Sequence, residues 1–280
     1  MRNKVLIYIF PVVLTAFYFV RADVMPFDPA RGLVEVQVKI DGRITGRFGI
    51  DTGADHLYID RTFAQKNNLA IYSEMSGHEI KGVEGSSKGY YAQLRSLEIG
   101  GELLYNARAV VTDLAALGGH KDGLHPDGLI GFEVIRRFYV TVNYPHTLLQ
   151  LYLGEPDFLN RSNYSTIPFR SSGHLVLMDV TFNDSITVPM ILDFCASYTS
   201  VSPEVAARLG LDPQYTGVQK VNKMSLSDVV AGSDIKLVVM DFSSYQKDRK
   251  TRFEGIIGTS FLYHYKITID YRRQKIYIHH

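Results

Sequence analysis

"RFGIDTGADHLYID" occupies residues 47–60. An apolar strand runs into Asp51, and Thr52 and Gly53 follow at once. A carboxylate at the end of an apolar strand is costly unless it is hydrogen-bonded or has chemistry to perform. The triplet is short enough to arise by chance, so its meaning depends on its surroundings.

Those surroundings repeat. At an offset of 142, Pro26-Phe27 falls on Pro168-Phe169, Leu33-Val34 on Leu175-Val176, Ile44-Thr45 on Ile186-Thr187, Asp51 on Asp193, Ala54 on Ala196 and Leu69 on Leu211. At an offset of 127, "DGLIGFEVIRRFYVTVNY" (127–144) falls on "EGIIGTSFLYHYKITIDY" (254–271). The chain therefore reads as a duplicated unit, 23–160 and 161–280, with the second copy shorter in the middle. The polar stretch "NRSNYSTIPFRSSGH" (160–174) reads as the joint.

Each copy is mostly strand. "LVEVQVKI" alternates, with Val34, Val36, Val38 and Ile40 on one face. Asp41-Gly42 predicts a two-residue hairpin turn, and Asn183-Asp184 its counterpart. Each return strand ends at an aspartate. A loop, a short strand and a short helix follow. Asp60 is placed to cap the first of these helices. Ser202, Pro203 and Gly210 supply the cap, first turn and stop of the second. "YVTVNYPHTLLQLYL" and "YKITIDYRRQKIYIHH" read as closing hairpins. The expected fold is all-β: a duplicated, two-lobed barrel with a short helix in each lobe.

Two equivalent loops on two equivalent lobes can bring Asp51 and Asp193 together. Two carboxylates in one site cannot both ionise, because like charges in contact repel. The pair then titrates as a unit, with one proton shared. It can hold a water, take its proton as it attacks an amide carbonyl, and protonate the carbonyl oxygen. No metal, cofactor or covalent intermediate is required.

These residues resemble a retropepsin-like aspartic protease of the two-lobed, signal-bearing bacterial form. The likeness rests on Asp51-Thr52-Gly53-Ala54 and on two apolar-apolar-Gly segments, Leu129-Ile130-Gly131 and Ile256-Ile257-Gly258, and extends over nearly everything after residue 30. It implies that Asp51 and Asp193 are catalytic, that Gly131 and Gly258 pass beneath the aspartate loops, and that the Thr52 hydroxyl bonds across to the opposite loop. It also implies a flap over an extended peptide. "IKGVEGSSKGYYAQLRSLEIGG" (80–101) is the candidate, with Gly85, Tyr90 and Tyr91 toward substrate, although both tyrosines also read as ordinary strand residues.

The second copy departs from the pattern. It reads Asp193-Phe194-Cys195-Ala196. Phe194 has no hydroxyl to bond across, and Cys195 puts a side chain where Gly leaves room, strained if its φ is positive. Three readings stay open: an asymmetric pair of Asp51 and Asp193; a structural second lobe, with Asp51 of a second chain completing the site; or a cleft that binds peptides without cutting them. The Cys195 thiol, beside a carboxylate, is read as an inert packed group rather than a nucleophile.

Other features bound the function. Net charge is +1, with no basic block, which argues against nucleic acid as a partner. The partner implied is a protein or peptide substrate, and a monomer is expected. Cys195 is the one cysteine, so no internal disulfide forms. His120, His125 and Asp127 lie in the insert "LAALGGHKDGLHPDG" (114–128), which reads as a Gly-rich loop rather than a metal site. Arg2 and Lys4 precede an apolar run from Val5 to Val20, and Val20 and Ala22 precede Asp23. That pattern predicts a signal peptide over 1–22 and an exported protein, periplasmic or secreted, with anchoring through an uncleaved segment as the alternative.

Overall fold

A computed structural model describes residues 23–29, 32–82, 85–117, 125–161, 163–227, 230–246 and 252–280. The expected signal segment and His120 lie outside the described residues.

The first half contains β1 (Met25–Pro26), β2 (Glu35–Ile40), β3 (Ile44–Ile50), β4 (Leu57–Asp60), α1 (Arg61–Lys66), β5 (Ile71–Lys81), β6 (Ser86–Ile99), β7 (Glu102–Thr112), β8 (Gly128–Ile130), α2 (Phe132–Ile135), β9 (Tyr139–Asn143) and β10 (Leu148–Tyr152). The second half contains β11 (Tyr164–Pro168), β12 (Arg170–Ser172), β13 (Leu175–Phe182), β14 (Ile186–Leu192), β15 (Thr199–Val201), α3 (Pro203–Arg208), β16 (Gln219–Leu226), β17 (Val230–Val239), α4 (Ser243–Gln246), β18 (Gly255–Ile257), α5 (Thr259–Leu262), β19 (Lys266–Asp270) and β20 (Lys275–His279).

Local chemistry sets these boundaries. Asp41 and Gly42 have φ of 53° and 70°, and Asn183 and Asp184 have 48° and 57°. Positive φ at both central residues is the tight hairpin turn whose twist matches its flanking strands. The Asp60 carboxylate accepts from the Thr62 and Phe63 amides and caps α1. The Ser202 hydroxyl accepts from Val205 and caps α3, with Pro203 in the first turn. Gly210, at φ 74°, stops the chain just beyond it.

The strands form two barrels. The first runs β2-β3-β8-β4-β7-β6 and closes by pairing β2 with β6, with β5 added outside; the second runs β13-β14-β18-β15-β17-β16 and closes by pairing β13 with β16, with β12 added outside. Among the described residues β5 has no counterpart in the second lobe, and this is where the second copy is shorter. Alternating apolar side chains point inward. Val36, Val38 and Ile40 of the first lobe and Val176, Met178 and Val180 of the second belong to one continuous core.

A third sheet joins the lobes, in the order β1-β10-β9-β19-β20-β11, three strands from each half. Its centre is an antiparallel pair in which Thr141 faces Thr268, flanked by Val142 on Ile267 and Val140 on Ile269. Thr141 and Thr268 are also equivalent in the 127 register, so the pseudo-twofold axis passes between them. Phe27 meets Tyr144 edge-on with centroids 5.9 Å apart, and Phe169 meets Tyr271 likewise at 6.1 Å. Both sequence registers thus describe one spatial symmetry.

Candidate active site

The pairing of β3 with β8, and of β14 with β18, delivers each aspartate to the axis. These are parallel pairs with Ile50 opposite Ile130 and Leu192 opposite Ile257. The Asp51 amide donates to the Ile130 carbonyl at 3.0 Å and the Asp193 amide to the Ile257 carbonyl at 3.1 Å. Each loop is then pinned from beneath. In the first lobe Gly131 donates to His56 and Phe132 to Ala54; in the second Thr259 donates to Ala196 and Ser260 to Ser197. A Cβ on Gly131 would stand 2.2 Å from the His56 carbonyl oxygen, and one on Gly258 would stand 2.4 Å from that of Tyr198. Backbone passes so close to backbone here that no side chain fits.

The two carboxylates face one point. A Cβ on Gly53 would lie 2.9 Å from Asp193 Oδ2 and 3.2 Å from Asp51 Oδ1. Asp51 Oδ1 accepts from the Gly53 amide at 2.8 Å and the Ala54 amide at 2.9 Å. Asp193 Oδ1 accepts from the Cys195 amide at 2.7 Å. Burial pushes the Asp51 carboxyl well above the usual range, and the neighbouring charge of Asp193 pushes it further, against the pull of those two amides. Burial likewise pushes Asp193 up to about 6, against the Cys195 amide. The pair therefore retains a proton where isolated aspartates have lost theirs.

Thr52 crosses the interface. Its hydroxyl donates to the Leu192 carbonyl at 2.7 Å and accepts from the Phe194 amide at 3.2 Å. Phe194 is fully buried, with its ring edge-on to Tyr144 at 6.2 Å. It fills the interlobe core. The φ of Cys195 is not positive, so its backbone carries no such strain. Burial, and then the charges of Asp51 and Asp193, push its thiol well up, so it stays protonated.

Gly85 sits at the tip of the β5–β6 hairpin, where its carbonyl accepts from Gly82 at 2.8 Å. A Cβ there would lie 2.3 Å from the Ala116 carbonyl oxygen, so the tip packs on the chain after β7. Tyr90 and Tyr91 are both half-buried. Tyr90 carries the Arg61 guanidinium 5.1 Å from its ring centroid, and packs on the barrel core. Tyr91 joins Ala54, Tyr58, Val110 and Leu114 in an apolar cluster on the side of the Asp51 loop. Asp127 accepts from the Arg47 amide at 2.8 Å, and His125 lies against the Pro126 carbonyl at 3.0 Å. Among the described residues no group of side chains is arranged to hold a metal.

Residues with no motif of their own in the sequence also reach the site. The His174 Nε2 lies 3.0 Å from the Gly53 carbonyl, from the opposite lobe. The Tyr58 hydroxyl donates to Asp55 at 2.5 Å. Against burial, which raises it, this bond and the charges of His56 and His174 hold the Asp55 carboxyl low. The phenols of Tyr144 and Tyr271 are buried without a hydrogen-bond partner among the described residues, and their equivalence was legible in the 127 register.

No curated protein matches the chain. An aspartyl protease family profile matches residues 36–134 and again 178–261, more than half of the chain in two repeats. With two closed barrels, duplicated aspartate loops and a glycine under each, the chain belongs to the aspartyl protease family.

Proposed function

We propose that the protein is an endopeptidase that hydrolyses peptide bonds with a water activated between Asp51 and Asp193. The observation that carries this reading is the convergence of Asp51 Oδ1 and Asp193 Oδ2 on the position beside Gly53. With one proton on the pair, the ionised oxygen takes a proton from water as it attacks the amide carbonyl. The protonated carboxyl donates to the carbonyl oxygen, and the resulting diol collapses with proton transfer to the departing amine.

Thr52, Gly53 and Ala54 position Asp51, and Gly131 and Gly258 hold the two loops at their separation. The substrate lies extended beneath the β5–β6 hairpin. Apolar side chains suit the walls. Ala54, Tyr58 and Tyr91 cluster on one side, and Ala196 packs with Leu175, Ile191 and Ile256 on the other. Export, read from Arg2, Lys4 and the apolar run 5–20, belongs to the same proposal; cell fractionation tests it.

A peptide library incubated with wild type over a pH series, beside Asp51→Asn and Asp193→Asn, tests the reading. Cleavage by wild type and loss in both variants is expected. Cleavage undiminished in either variant overturns it. A second reading, a cleft that binds peptides without cutting, is favoured by Phe194-Cys195 in place of Thr-Gly. Peptide binding without turnover at any pH would select it.

A further inference from the structure

We propose that Cys195 supplies the second half of the cross-lobe clasp that Phe194 cannot make, and so positions the carboxylate pair. The inference rests on the peptidase reading of the pair.

The first half of the clasp is the Thr52 hydroxyl on the Leu192 carbonyl, the peptide oxygen just before Asp193. The duplicated counterpart of Leu192 is Ile50, just before Asp51. Twofold symmetry calls for a donor from the second lobe to the Ile50 carbonyl. Phe194, at the position equivalent to Thr52, has none, and its ring lies in the core. The donor comes from one residue further on. Cys195 Sγ lies 3.5 Å from the Ile50 carbonyl oxygen. The same residue gives Asp193 Oδ1 its 2.7 Å amide bond. Cys195 therefore holds one aspartate by its carboxylate and the other by the peptide unit leading to it.

The first lobe has the space this requires. A Cβ on Gly49 would stand 2.8 Å from Cys195 Sγ. The counterpart of Gly49 in the second lobe is Ile191, so the missing side chain is found only opposite the thiol. The raised thiol keeps its proton and acts as a donor. A thiol is a weaker donor than the hydroxyl it replaces, which leaves the clasp asymmetric.

Cys195→Ala removes the donor and keeps the backbone, and Cys195→Ser restores a donor. Gly49→Ala crowds the thiol from β3 and leaves the sequence of both aspartate loops unchanged. Two readouts are followed: kcat and KM on a cleaved peptide, and the carboxyl titration of 13C-labelled Asp51 and Asp193. In Cys195→Ala the loops separate, so the two apparent pKa values of the pair converge. Its kcat falls about tenfold, with KM within about twofold. Cys195→Ser recovers both, and Gly49→Ala behaves like Cys195→Ala. A Cys195→Ala protein whose pair titrates as in wild type overturns the inference, as does a Cys195→Ser that fails to differ from Cys195→Ala. If Cys195→Ala does not fold, the same titration of Gly49→Ala decides: converging values support the clasp, and a wild-type titration overturns it. If wild type cuts no peptide, the peptidase reading falls alone, because the titration needs no turnover.

Discussion

The hydroxyls of Thr141 and Thr268 meet at 2.8 Å where the two lobes join, and each residue is the other's copy. Thr268 has a second partner, His279 Nε2 at 2.9 Å, whereas Thr141 depends on Thr268. His279 is held down at about 4, chiefly by burial, so its ring is neutral at pH 7. The two substitutions are therefore unequal. Thr268→Val strands a buried hydroxyl and is expected to cost about 2 kcal/mol, while Thr141→Val costs about half that. Urea unfolding of both single variants and the double variant measures the difference.

Thr52→Val keeps the shape of the side chain and removes both interlobe bonds. The Leu192 carbonyl and the Phe194 amide are left buried without their partner. The expected loss is roughly 2–4 kcal/mol, with a fall in kcat larger than any rise in KM. Thr52→Ser keeps the hydroxyl and should recover most of both. Thermal unfolding beside steady-state kinetics checks it.

Gly131→Ala should be among the most damaging small substitutions. The new methyl meets the carbonyl oxygens of His56 at 2.2 Å and Ala54 at 2.7 Å, and both are backbone. Relief requires the Asp51 loop to move. A loss of about 3 kcal/mol or more is expected, with activity falling even where the fold survives. Gly258→Ala repeats the clash against the Asp193 loop, from Tyr198 and Ala196. Calorimetry on the two variants should give losses of similar size.

Asp193 is raised by burial to about 6 in the folded protein. A carboxyl with a raised folded pKa favours folding fully below its unfolded pKa, and that advantage is lost as pH rises through the folded value. Asp193→Asn, which never ionises, should therefore match wild type near pH 3. It should be more stable by on the order of 2 kcal/mol at pH 7. Chemical denaturation at the two pH values tests the sign. Equal stability differences at both would remove the assignment.

The same shifts set the pH range of activity. The reaction needs one proton on the pair, and Asp51 lies well above the ordinary carboxylate value. The alkaline limb of kcat/KM is expected well above the ordinary carboxylate pKa near 4. A profile already falling at pH 4 would show that the carboxylates do not share a proton.

Much of this architecture was legible in the sequence because it depends on local backbone chemistry. Asp41-Gly42 and Asn183-Asp184 had to turn, Asp60 and Ser202 had to cap, and the two offsets named equivalent positions before any contact was known. The site was legible only in part. The bond from Thr52 to Leu192 spans 140 positions, and that from Cys195 to Ile50 spans 145. An offset says which residues are copies, but not which side chain reaches across when one copy has changed. Cys195 thus reads from the sequence as a packed small group, and nothing in the sequence singles out Gly49. His174 gave no signal because it sits in the joint and its partner is a main-chain oxygen. Similarly, Gly85 is expected from the sequence to face substrate in the flap, whereas the missing side chains of Gly82 and Gly85 make room for the carbonyls of Leu117 and Ala116.

Thr141 opposite Thr268 is a pairing that a strand can also make with itself. A polypeptide stopping after Tyr152 would expose the flank of β9 in the register needed to join a second molecule of the same half. It already carries its own Asp-Thr-Gly and its own hairpin. Such a homodimer would own two Thr52 hydroxyls and two hairpins, and would have no use for a thiol. In the fused chain the second half lacks a counterpart of β5 among the described residues, has Phe194 where the first half has Thr52, and keeps Asp193.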